Sequence, residues 1–446
     1  MASDLLTIAT SGVRTARSAL DVTAQNIANA DSDGYVRRTV RTAEVSAASG
    51  LLRASDMSLS GVRIEGVYRN ADMFRQADVR RTSSDAARAA AELQGYENIE
   101  IAIEQAQPYN LLVEFEASMQ ALSADPTDPS LRAAMIGAAS SVASSFNIAS
   151  SSLDAVGDGL RFEAVSQIDE ANVVGAELAR VNLHIARAGA GSSDSATLLD
   201  QRDNLLMRLS GIANISANFE VDGTVEVSLG GAGGEVFVQG ASSGTLSAAE
   251  QADGTLAYSL DGTALSFTAG SLSGKALALE AVAQNKTRLD DLANGIAATV
   301  NAAQLAGIDA NDAAGQPIFT STGASDLALA FTDGHMIAAA YPGSTTGSAD
   351  GSNLLAMIRG FETADHAGAT NSLLFGVSAD VASRKVTTEA LQAIASSSRI
   401  ALDEQSGVDL DQEAASLVRY QQAFEASSRA MQVASDIFDI LMGIGR

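Results

Sequence analysis

The spacing of apolar and small residues in the first thirty positions constrains this sequence more than any other feature. These residues recur at alternating steps of three and four, at Leu6, Ala9, Val13, Ala16, Leu20, Thr23 and Ile27. The pattern is a heptad repeat, which gives an α-helix one narrow apolar stripe. Because a helix of this length with so narrow a stripe is only marginally stable alone, the sequence predicts that it packs on a partner helix.

The segment NIANADSDGYVRRT, residues 26–39, predicts where this helix ends. Its Asn and Asp side chains, which begin with Asn26 and Asn29, compete for backbone hydrogen bonds, and Gly34 permits a positive φ. We therefore expect the helix to end near Asn29 or Ala30, before the chain turns at Gly34 and continues through Tyr35.

A second amphipathic helix is predicted at the other end of the chain. Asp409, followed by Gln412, has the spacing of a capping box that starts this helix. One apolar stripe recurs every seven residues, at Leu410, Leu417, Phe424, Met431 and Phe438. Further apolar residues join it near the end, at Ala430, Val433, Ile437, Ile440 and Ile444. We expect the two terminal helices to pair as a coiled coil and to expose a second face to other copies of the chain.

Composition excludes several classes of function. The net charge of -26 and the pI near 4.3 oppose binding to nucleic acid or to an anionic membrane, because phosphate groups would be repelled over most of the surface. The absence of cysteine excludes disulfides and Cys-zinc sites. Apolar runs fall short of the about 18 residues of a membrane span. Because Asp4, Arg14 and Arg17 interrupt the first segment, we expect no cleaved signal peptide.

Periodicity divides the rest of the chain into helical and β segments. Helical patterns cover residues 83–107 and 111–124, then two successive helices up to residue 188, and a short helix over 197–210. From residue 212 to 274, alternating runs separated by DG, GG and SG turns indicate antiparallel hairpins. Helical periodicity then returns, followed by the short strands PIFT, DLALAFT and MIAAAY.

The predicted fold is therefore mainly α, with an inserted antiparallel β domain and paired terminal coiled-coil helices. Residues 1–30 and 409–446 form the coiled-coil domain in this prediction, and residues 212–274 the β domain. The remaining residues, 31–211 and 275–408, form a discontinuous and mainly helical body.

Motifs that resemble catalytic or ligand sites have simpler explanations. GASSG, residues 240–244, fits the nucleophile-elbow pattern but lies among β-turns with no helix after it. GGAGG, residues 230–234, lacks the Lys-Ser/Thr of a phosphate-binding loop and is expected to be a hairpin loop. Asp409, Asp411 and Glu413 lack the spacing of an EF-hand, so helix capping is expected there. The sequence thus predicts no catalytic residue, no cofactor and no metal.

Two further groups of polar residues are expected to be structural. Asp200, Arg202 and Asp203 in LLDQRD are predicted to form local ion pairs that fix a short helix to its neighbour. The three histidines are too scattered for a metal triad, and lie at His184, His335 and His366.

Six segments of the sequence carry a resemblance to known proteins. The first, SGVRTARSALDVTAQNIANADSDGYVRR, resembles the shared signature of flagellar rod, hook and hook-associated proteins. The more specific ones are GVRIEGVYRNADMFRQADVR, ALSADPTDPSLRAAM, LLDQRDNLLMRLS, RLDDLANGIAATVNAAQLAGID and SGVDLDQEAASLVRYQQAFEASSRAM. They occur in order, and together they resemble the flagellar hook-associated protein 1 family. The resemblance extends over nearly the whole chain outside the β insertion.

The resemblance implies a structural protein of the bacterial flagellum, exported unfolded through the flagellar type III apparatus with an export chaperone. Copies would form a helical ring at the hook tip, between the hook protein and the second hook-filament junction protein. The site implied is the surface of the terminal helices, where Gly34 turns the chain and Tyr35 anchors it against the next layer.

Three alternatives stay open at this point. Another axial protein of the flagellum, such as a hook, rod or second junction protein, would share the first segment but lack LLDQRD and ADPTDPSLRAA. An exported hydrolase would use Ser242 or Ser243 as its nucleophile. An adhesin would suit the Gly/Ser-rich β insertion but predicts a cleavable signal and long repeats.

Overall fold

The computed structural model describes residues 2–32, 34–46, 59–189, 191–345 and 349–444. Its α-helices are α1 (Ala2–Ala28), α2 (Met73–Ala106), α3 (Pro108–Ala124), α4 (Pro129–Arg187), α5 (Ser193–Ile212), α6 (Ser271–Ala306), α7 (Ser352–Ala364), α8 (His366–Ser406) and α9 (Leu410–Ile444). Its strands are β1 (Arg38–Ser46), β2 (Leu59–Arg69), β3 (Ile215–Phe219), β4 (Val225–Leu229), β5 (Glu235–Gln239), β6 (Ser242–Ser243), β7 (Leu246–Glu250), β8 (Leu256–Leu260), β9 (Thr263–Leu265), β10 (Phe319–Thr320) and β11 (Ala328–Leu329). The predicted mainly α fold with small antiparallel sheets is confirmed.

The chain divides into two compact units. The first comprises Met1–Ser84, Glu170–Thr245 and Gln392–Arg446, and the second comprises Asp85–Asp169 and Leu246–Leu391. Helices α2, α4 and α8 contribute residues to both units. In the ranges that the structure describes, no helix combines the length and hydropathy needed to cross a membrane.

The first unit contains the terminal helices, the hairpin β1–β2 and the antiparallel sheet β3–β4–β5–β6. The sheet packs on α4, since a Cβ added at Gly175 would lie 2.5 Å from the Phe237 ring. Asn182 of α4 joins the backbone of β4, donating to the Val225 oxygen at 2.8 Å and accepting from its nitrogen at 3.0 Å. Both polar groups of a buried amide are thereby satisfied.

The second unit is built around a helical core. Phe115 of α3 lies at its centre, with ring centroids 6.0 Å from Phe319 and 5.8 Å from Phe361, both in edge-to-face contact. Such pairs stabilise a core beyond the apolar area that they bury. The sheet β7–β8–β9 belongs to the same unit.

The predicted DG turns are confirmed. Asp261 and Gly262 connect β8 to β9 with φ of 49° and 85°, the positive values that a two-residue hairpin loop requires. In the β3–β4 turn, Asp222 accepts hydrogen bonds from the Thr224 nitrogen at 2.9 Å and its hydroxyl at 2.7 Å. The GGAGG segment forms the β4–β5 loop, as expected.

Residues 212–274 form two sheets, and these belong to different units with a boundary at Thr245/Leu246. The sequence prediction of one β domain differs on this point. Turn chemistry identifies each hairpin locally, but which strands share a sheet depends on pairing that periodicity does not encode. The β1–β2 hairpin was not predicted for a different reason, because charged residues interrupt the apolar alternation of its strands.

The helix boundaries also differ from the predictions. The two helices expected between residues 129 and 188 are one continuous helix, α4, which passes through Gly157 and Gly159, because an isolated glycine weakens a helix without breaking it. Helix α2 begins at Met73 rather than near residue 83. The expected strand MIAAAY is not a strand. Its backbone is held by the fully buried Gln304, which donates to the Met336 oxygen and accepts from the Ala338 nitrogen.

Two helical glycines of the second unit give opposite predictions for substitution by alanine. A Cβ at Gly274 would lie 2.2 Å from the Arg88 carbonyl oxygen, whereas a Cβ at Gly137 would meet nothing within 4 Å. We expect Gly274→Ala to destabilise the protein by about 1–3 kcal/mol through overpacking. Gly137→Ala is the control, with an expected gain of about 0.5–1 kcal/mol. Thermal unfolding of both variants measures the difference, and equal effects would contradict the close approach.

Candidate assembly site

The terminal helices pair in antiparallel orientation. Asn26 of α1 donates to a Glu413 oxygen of α9 at 3.2 Å, and a Cβ at Gly12 would lie 2.8 Å from the Ser427 hydroxyl. The face of α1 in this α1–α9 seam is formed by small residues at heptad spacing, namely Ala9, Gly12, Ala16, Ala19, Thr23 and Asn26. The matching residues of α9 are Glu413, Leu417, Tyr420, Phe424, Ser427, Met431 and Ala434.

The predicted stripe of α1 is correct at some positions and wrong at others. Ala9, Ala16 and Thr23 are buried as expected, and Asn26 is buried as well. Leu6 and Ile27, however, are exposed, and Val13 and Leu20 are only half-buried. The seam uses residues 12, 19 and 26 instead of 13, 20 and 27, because glycine and alanine let the two helices approach closely while leucine and isoleucine would hold them apart.

The predicted stripe of α9 also holds only in its middle. Leu417, Phe424 and Met431 are half-buried in the seam. Leu410 and Phe438, at 52% and 47% exposure, lie where the paired part of α1 has ended. The expected second stripe, Val433, Ile437 and Ile440, is exposed, and the side chain of Ile444 lies outside the described residues.

One end of the helix pair therefore carries a concentrated apolar surface. Leu5 lies 21 residues before Asn26, and Ala434 lies 21 residues after Glu413, so the antiparallel pairing places them at the same level. Around this level, both helices expose large apolar side chains, which we call the apolar end: Leu5, Leu6, Ile8, Val433, Ile437, Phe438 and Ile440.

The opposite end of the pair is fixed by Asn26, which is fully hydrogen-bonded. Its side-chain nitrogen donates to the Arg38 oxygen at 2.9 Å as well as to Glu413. Its side-chain oxygen accepts from the Arg38 nitrogen at 3.0 Å and from the Tyr35 hydroxyl at 2.9 Å. Burial raises the pKa of Tyr35 above its ordinary value, so the phenol remains a donor at neutral pH. Asn26 thus ties α1 to the chain that follows it and to α9.

Gly34 makes the turn between α1 and β1, as predicted. Its φ is +72°, and a Cβ there would lie 1.8 Å from the side-chain oxygen of Asn204 on α5. Glycine is required on both counts, because the left-handed conformation disfavours a Cβ and the neighbouring side chain leaves no room for one. The Tyr35 hydroxyl donates to Asn26 of the same chain. The prediction had instead placed its contact on the next layer of the assembly.

A cluster of ion pairs links the β1–β2 hairpin to α5, and we call it the Asp200–Asp203 cluster. Arg38 and Arg69 face each other across the hairpin, and both donate to Asp200 at 2.7 Å. Arg69 also donates to Asp203 at 2.7 Å. Asp200 and Asp203 lie three residues apart on one face of α5. The shared carboxylates therefore compensate two like charges that would otherwise repel across the strands.

The cluster continues toward the β3–β4 turn through Arg202. This guanidinium donates to Asp203 at 2.7 Å and to the Gly223 oxygen at 2.6 Å, and stacks over Phe219 at 4.6 Å from the ring centroid. Burial by itself would raise the pKa of Asp203, but Arg202 and Arg69 outweigh it and hold that pKa below its ordinary value.

The local ion pairs predicted for LLDQRD are thus only part of the arrangement. Arg202 and Asp203 do pair locally, but the partners of Asp200 come from β1 and β2, more than 130 residues earlier in the chain. Sequence reasoning missed Arg38, Arg69 and Glu413 as members of the site. The signal that could have indicated Arg38 and Arg69 was the charge of the segments GYVRR and VYRN, which lie in regions that resemble the family.

The structure gives no support for a catalytic or metal site in the described part of the chain. No group of three or more potential metal ligands occurs there. GASSG forms a strand–turn–strand with Ser242 and Ser243 exposed in β6, not the strand–turn–helix of a nucleophile elbow. Asp409 caps α9 by accepting from the Asp411 and Gln412 nitrogens. His366 is buried beside Thr299, and His184 and His335 are exposed.

Comparison with known proteins agrees with the resemblance. The family model described as the flagellar hook-associated protein FlgK helical domain matches residues 104–319. Flagellar hook-associated protein 1 of Escherichia coli K12 is 28% identical over 334 residues, which cover 71% of this chain and 60% of that protein. The chain is similar to the flagellar hook-associated protein 1 family.

Two other family models match the ends of the chain. The model described as flagella basal body rod protein matches residues 6–35, and the flagellar basal body rod FlgEFG protein C-terminal model matches 401–444. The same-named protein of Bacillus subtilis 168 is 27% identical over 229 residues, 48% of this chain and 45% of that protein. The chain spans about 60% of the length of its first curated relatives.

A solved structure shares the fold. The flagellar hook junction protein FlgK from Burkholderia pseudomallei superposes with a TM-score of 0.65 at 13% identity, covering 74% of this chain and 99% of that one. At this identity the match shows that the two chains have the same fold.

Asn26→Asp tests the hydrogen bonds at the end of the helix pair opposite the apolar end. The substitution places a carboxylate oxygen against the Arg38 carbonyl and the Glu413 carboxylate, so we expect a loss of about 3 kcal/mol. Asn29→Asp is the matched control in the same motif. Its amide bonds only the Gln25 oxygen in an exposed position, so we expect a loss of about 0.5 kcal/mol from the helix dipole. Urea unfolding of both variants measures the two losses in free energy of unfolding. Similar losses would contradict the hydrogen bonds assigned to Asn26.

Gly34→Ala and Asn204→Ala form a double-mutant cycle on the turn. Gly34→Ala alone combines backbone strain with the overlap against Asn204, and we expect it to cost about 3 kcal/mol. In the double variant the overlap is gone. Relative to Asn204→Ala alone, only the cost of the left-handed conformation remains, about 1–2 kcal/mol. The free energies of unfolding of the four proteins give the coupling, and additive effects would contradict the contact.

Proposed function

We propose that this protein is a structural component of the bacterial flagellum that forms the hook-filament junction. Identical subunits would add as a helical ring at the hook tip, and this ring would be the adaptor on which the filament assembles. The observation that carries the proposal is the apolar end of the α1–α9 pair, in a chain that is similar to this family.

The apolar end supports assembly for a physical reason. A monomer leaves Ile437, Phe438 and Ile440 at 38%, 47% and 62% exposure, at the same end of the helix pair as the exposed Leu5 and Leu6. A concentration of exposed large apolar side chains is typical of a surface that contacts another protein. A surface used head to tail by identical subunits generates a ring or a helix, which is the architecture that the proposed function needs.

The assembly residues predicted from the sequence divide accordingly. Those of the seam, such as Ala9, Ala16 and Thr23, pack within the subunit and hold the pair together. Those left exposed, such as Leu6, Val433 and Phe438, are proposed to contact other copies, the hook protein below and the second junction protein above. Asn26, Gly34 and Tyr35 would act on assembly only by fixing the pair.

The proposal includes the route to the flagellum and excludes catalysis. Subunits would reach the extracellular junction unfolded, through the flagellar type III apparatus with an export chaperone, and without a cleaved signal peptide. The absence of cysteine suits such export, because no disulfide has to form after it. No catalytic activity is proposed.

Deletion of the gene tests the proposed function. Electron microscopy of the deletion strain is expected to show hooks of normal length without filaments, with flagellin lost to the medium. Cells without hooks would assign the protein to the rod or hook instead, and cells with intact filaments would refute the proposal.

Complementation of the deletion strain with Phe438→Asp tests the apolar end. Phe438 is exposed in the subunit, so a carboxylate there is expected to leave the unfolding temperature unchanged but to abolish filament formation, because it would be buried against a neighbour without a partner. Val221→Asp is the control, since Val221 is a fully exposed apolar residue of the β3–β4 turn. Normal filaments with Phe438→Asp would contradict the proposed surface.

A further inference from the structure

Glu413 occupies an unusual position for a charged residue. It lies in the heptad spacing of the α1–α9 seam, where the other α9 residues are apolar or small or, at Tyr420, aromatic, and only 1% of it is exposed. One carboxylate oxygen accepts from the Asn26 side chain at 3.2 Å and the other accepts from the Arg37 guanidinium at 2.6 Å. The carboxylate is thus satisfied only where Asn26 and Arg37 lie opposite it.

We infer that the Asn26–Glu413 pair sets the register in which α9 packs on α1. A buried polar residue at a seam position of a coiled coil specifies the register, because any slide leaves it without partners. Setting the register is distinct from stabilising the helix pair. It is a property of the single subunit and goes beyond the proposed function.

The rest of the seam discriminates poorly between registers. Ala9, Ala16 and Thr23 recur every seven residues on α1, and Leu417, Phe424 and Met431 recur every seven on α9. A slide by one heptad therefore brings similar side chains together again. In one direction it would place Glu413 opposite Ala19, seven residues before Asn26, with no partner for the carboxylate. In the other direction it would place Tyr420 opposite Asn26.

The register decides whether the apolar end exists as one surface. In the observed register Leu5 and Leu6 lie level with Ala434 and Val433, by the count from Asn26 and Glu413. A slide of seven residues, about 10 Å along the helix, would separate the exposed leucines of α1 from the exposed residues of α9. Glu413 thus acts on the distant apolar end by positioning α9.

Glu413→Leu separates register from stability. It removes the charge without leaving another one buried, since the Arg37 side chain is 25% exposed and reaches solvent, and Asn26 keeps its bond to the Arg38 oxygen. We expect the helix pair to remain as stable as in the parent protein, because leucine fits an apolar seam, but to populate more than one register.

Disulfide formation in the cysteine-free chain reads out the register. Gly12→Cys with Ser427→Cys reports the observed register, because a Cβ at Gly12 would lie 3.3 Å from the Ser427 Cβ, close to disulfide geometry. Gly12→Cys with Tyr420→Cys or with Ala434→Cys reports slides of one heptad. We expect only the first pair to cross-link efficiently in the parent sequence. With Glu413→Leu, the ratio of in-register to slid cross-links is expected to fall about tenfold.

Two further variants keep the test decisive. Glu425→Leu introduces the same residue at an exposed position of α9 outside the seam, and it is expected to leave the ratio unchanged. Glu413→Gln keeps an acceptor for Asn26 but loses the charge facing Arg37, and gives an intermediate ratio even if Glu413→Leu fails to fold. An unchanged ratio in both Glu413 variants would overturn the inference and assign the register to the short α8–α9 connection. Because purified full-length protein is used, the result is independent of the flagellar role.

Discussion

The four hydrogen bonds of Asn26 are the interaction on which the arrangement of the terminal helices depends. A buried carboxamide can be satisfied in few ways, and here its partners come from the turn after α1, from β1 and from α9. One side chain therefore fixes where α1 ends, how the chain leaves it and which residue of α9 lies opposite. The small residues of the seam pack on this framework.

The Asp200–Asp203 cluster extends the same framework to α5. Arg38 is the residue shared by both, since its backbone bonds Asn26 and its guanidinium bonds Asp200. A buried ion-pair cluster adds little net stability but tolerates few alternative arrangements. The segments NIAN, GYVRR, VYRN and LLDQRD, which carry the resemblance to the family, are thus brought together at one place that holds the terminal helices to the first unit.

The unequal size of the apolar residues explains how one helix pair serves two purposes. Glycine and alanine face inward and allow close packing, whereas leucine, isoleucine and phenylalanine at the apolar end face outward. A subunit built this way packs its two terminal helices through small residues and still leaves apolar side chains exposed for contacts with other chains. The proposed assembly at the hook-filament junction uses that surface. In the inference made for Glu413, this residue sets the register that keeps the exposed residues of both helices at the same level.

The sequence by itself determined the features that depend on neighbouring residues: the helical class, the end of α1 near Asn29, the turn at Gly34, the cap at Asp409 and the DG hairpins. Heptad spacing also predicted that the terminal helices pair. Tertiary structure alone decided which face of α1 lies inward, since that depends on how closely Gly12 can approach Ser427. It also decided the partners of Asp200 and Glu413 and the division of residues 212–274 between two sheets. Those contacts join segments far apart in the chain, and neither periodicity nor local charge specifies which distant residues meet.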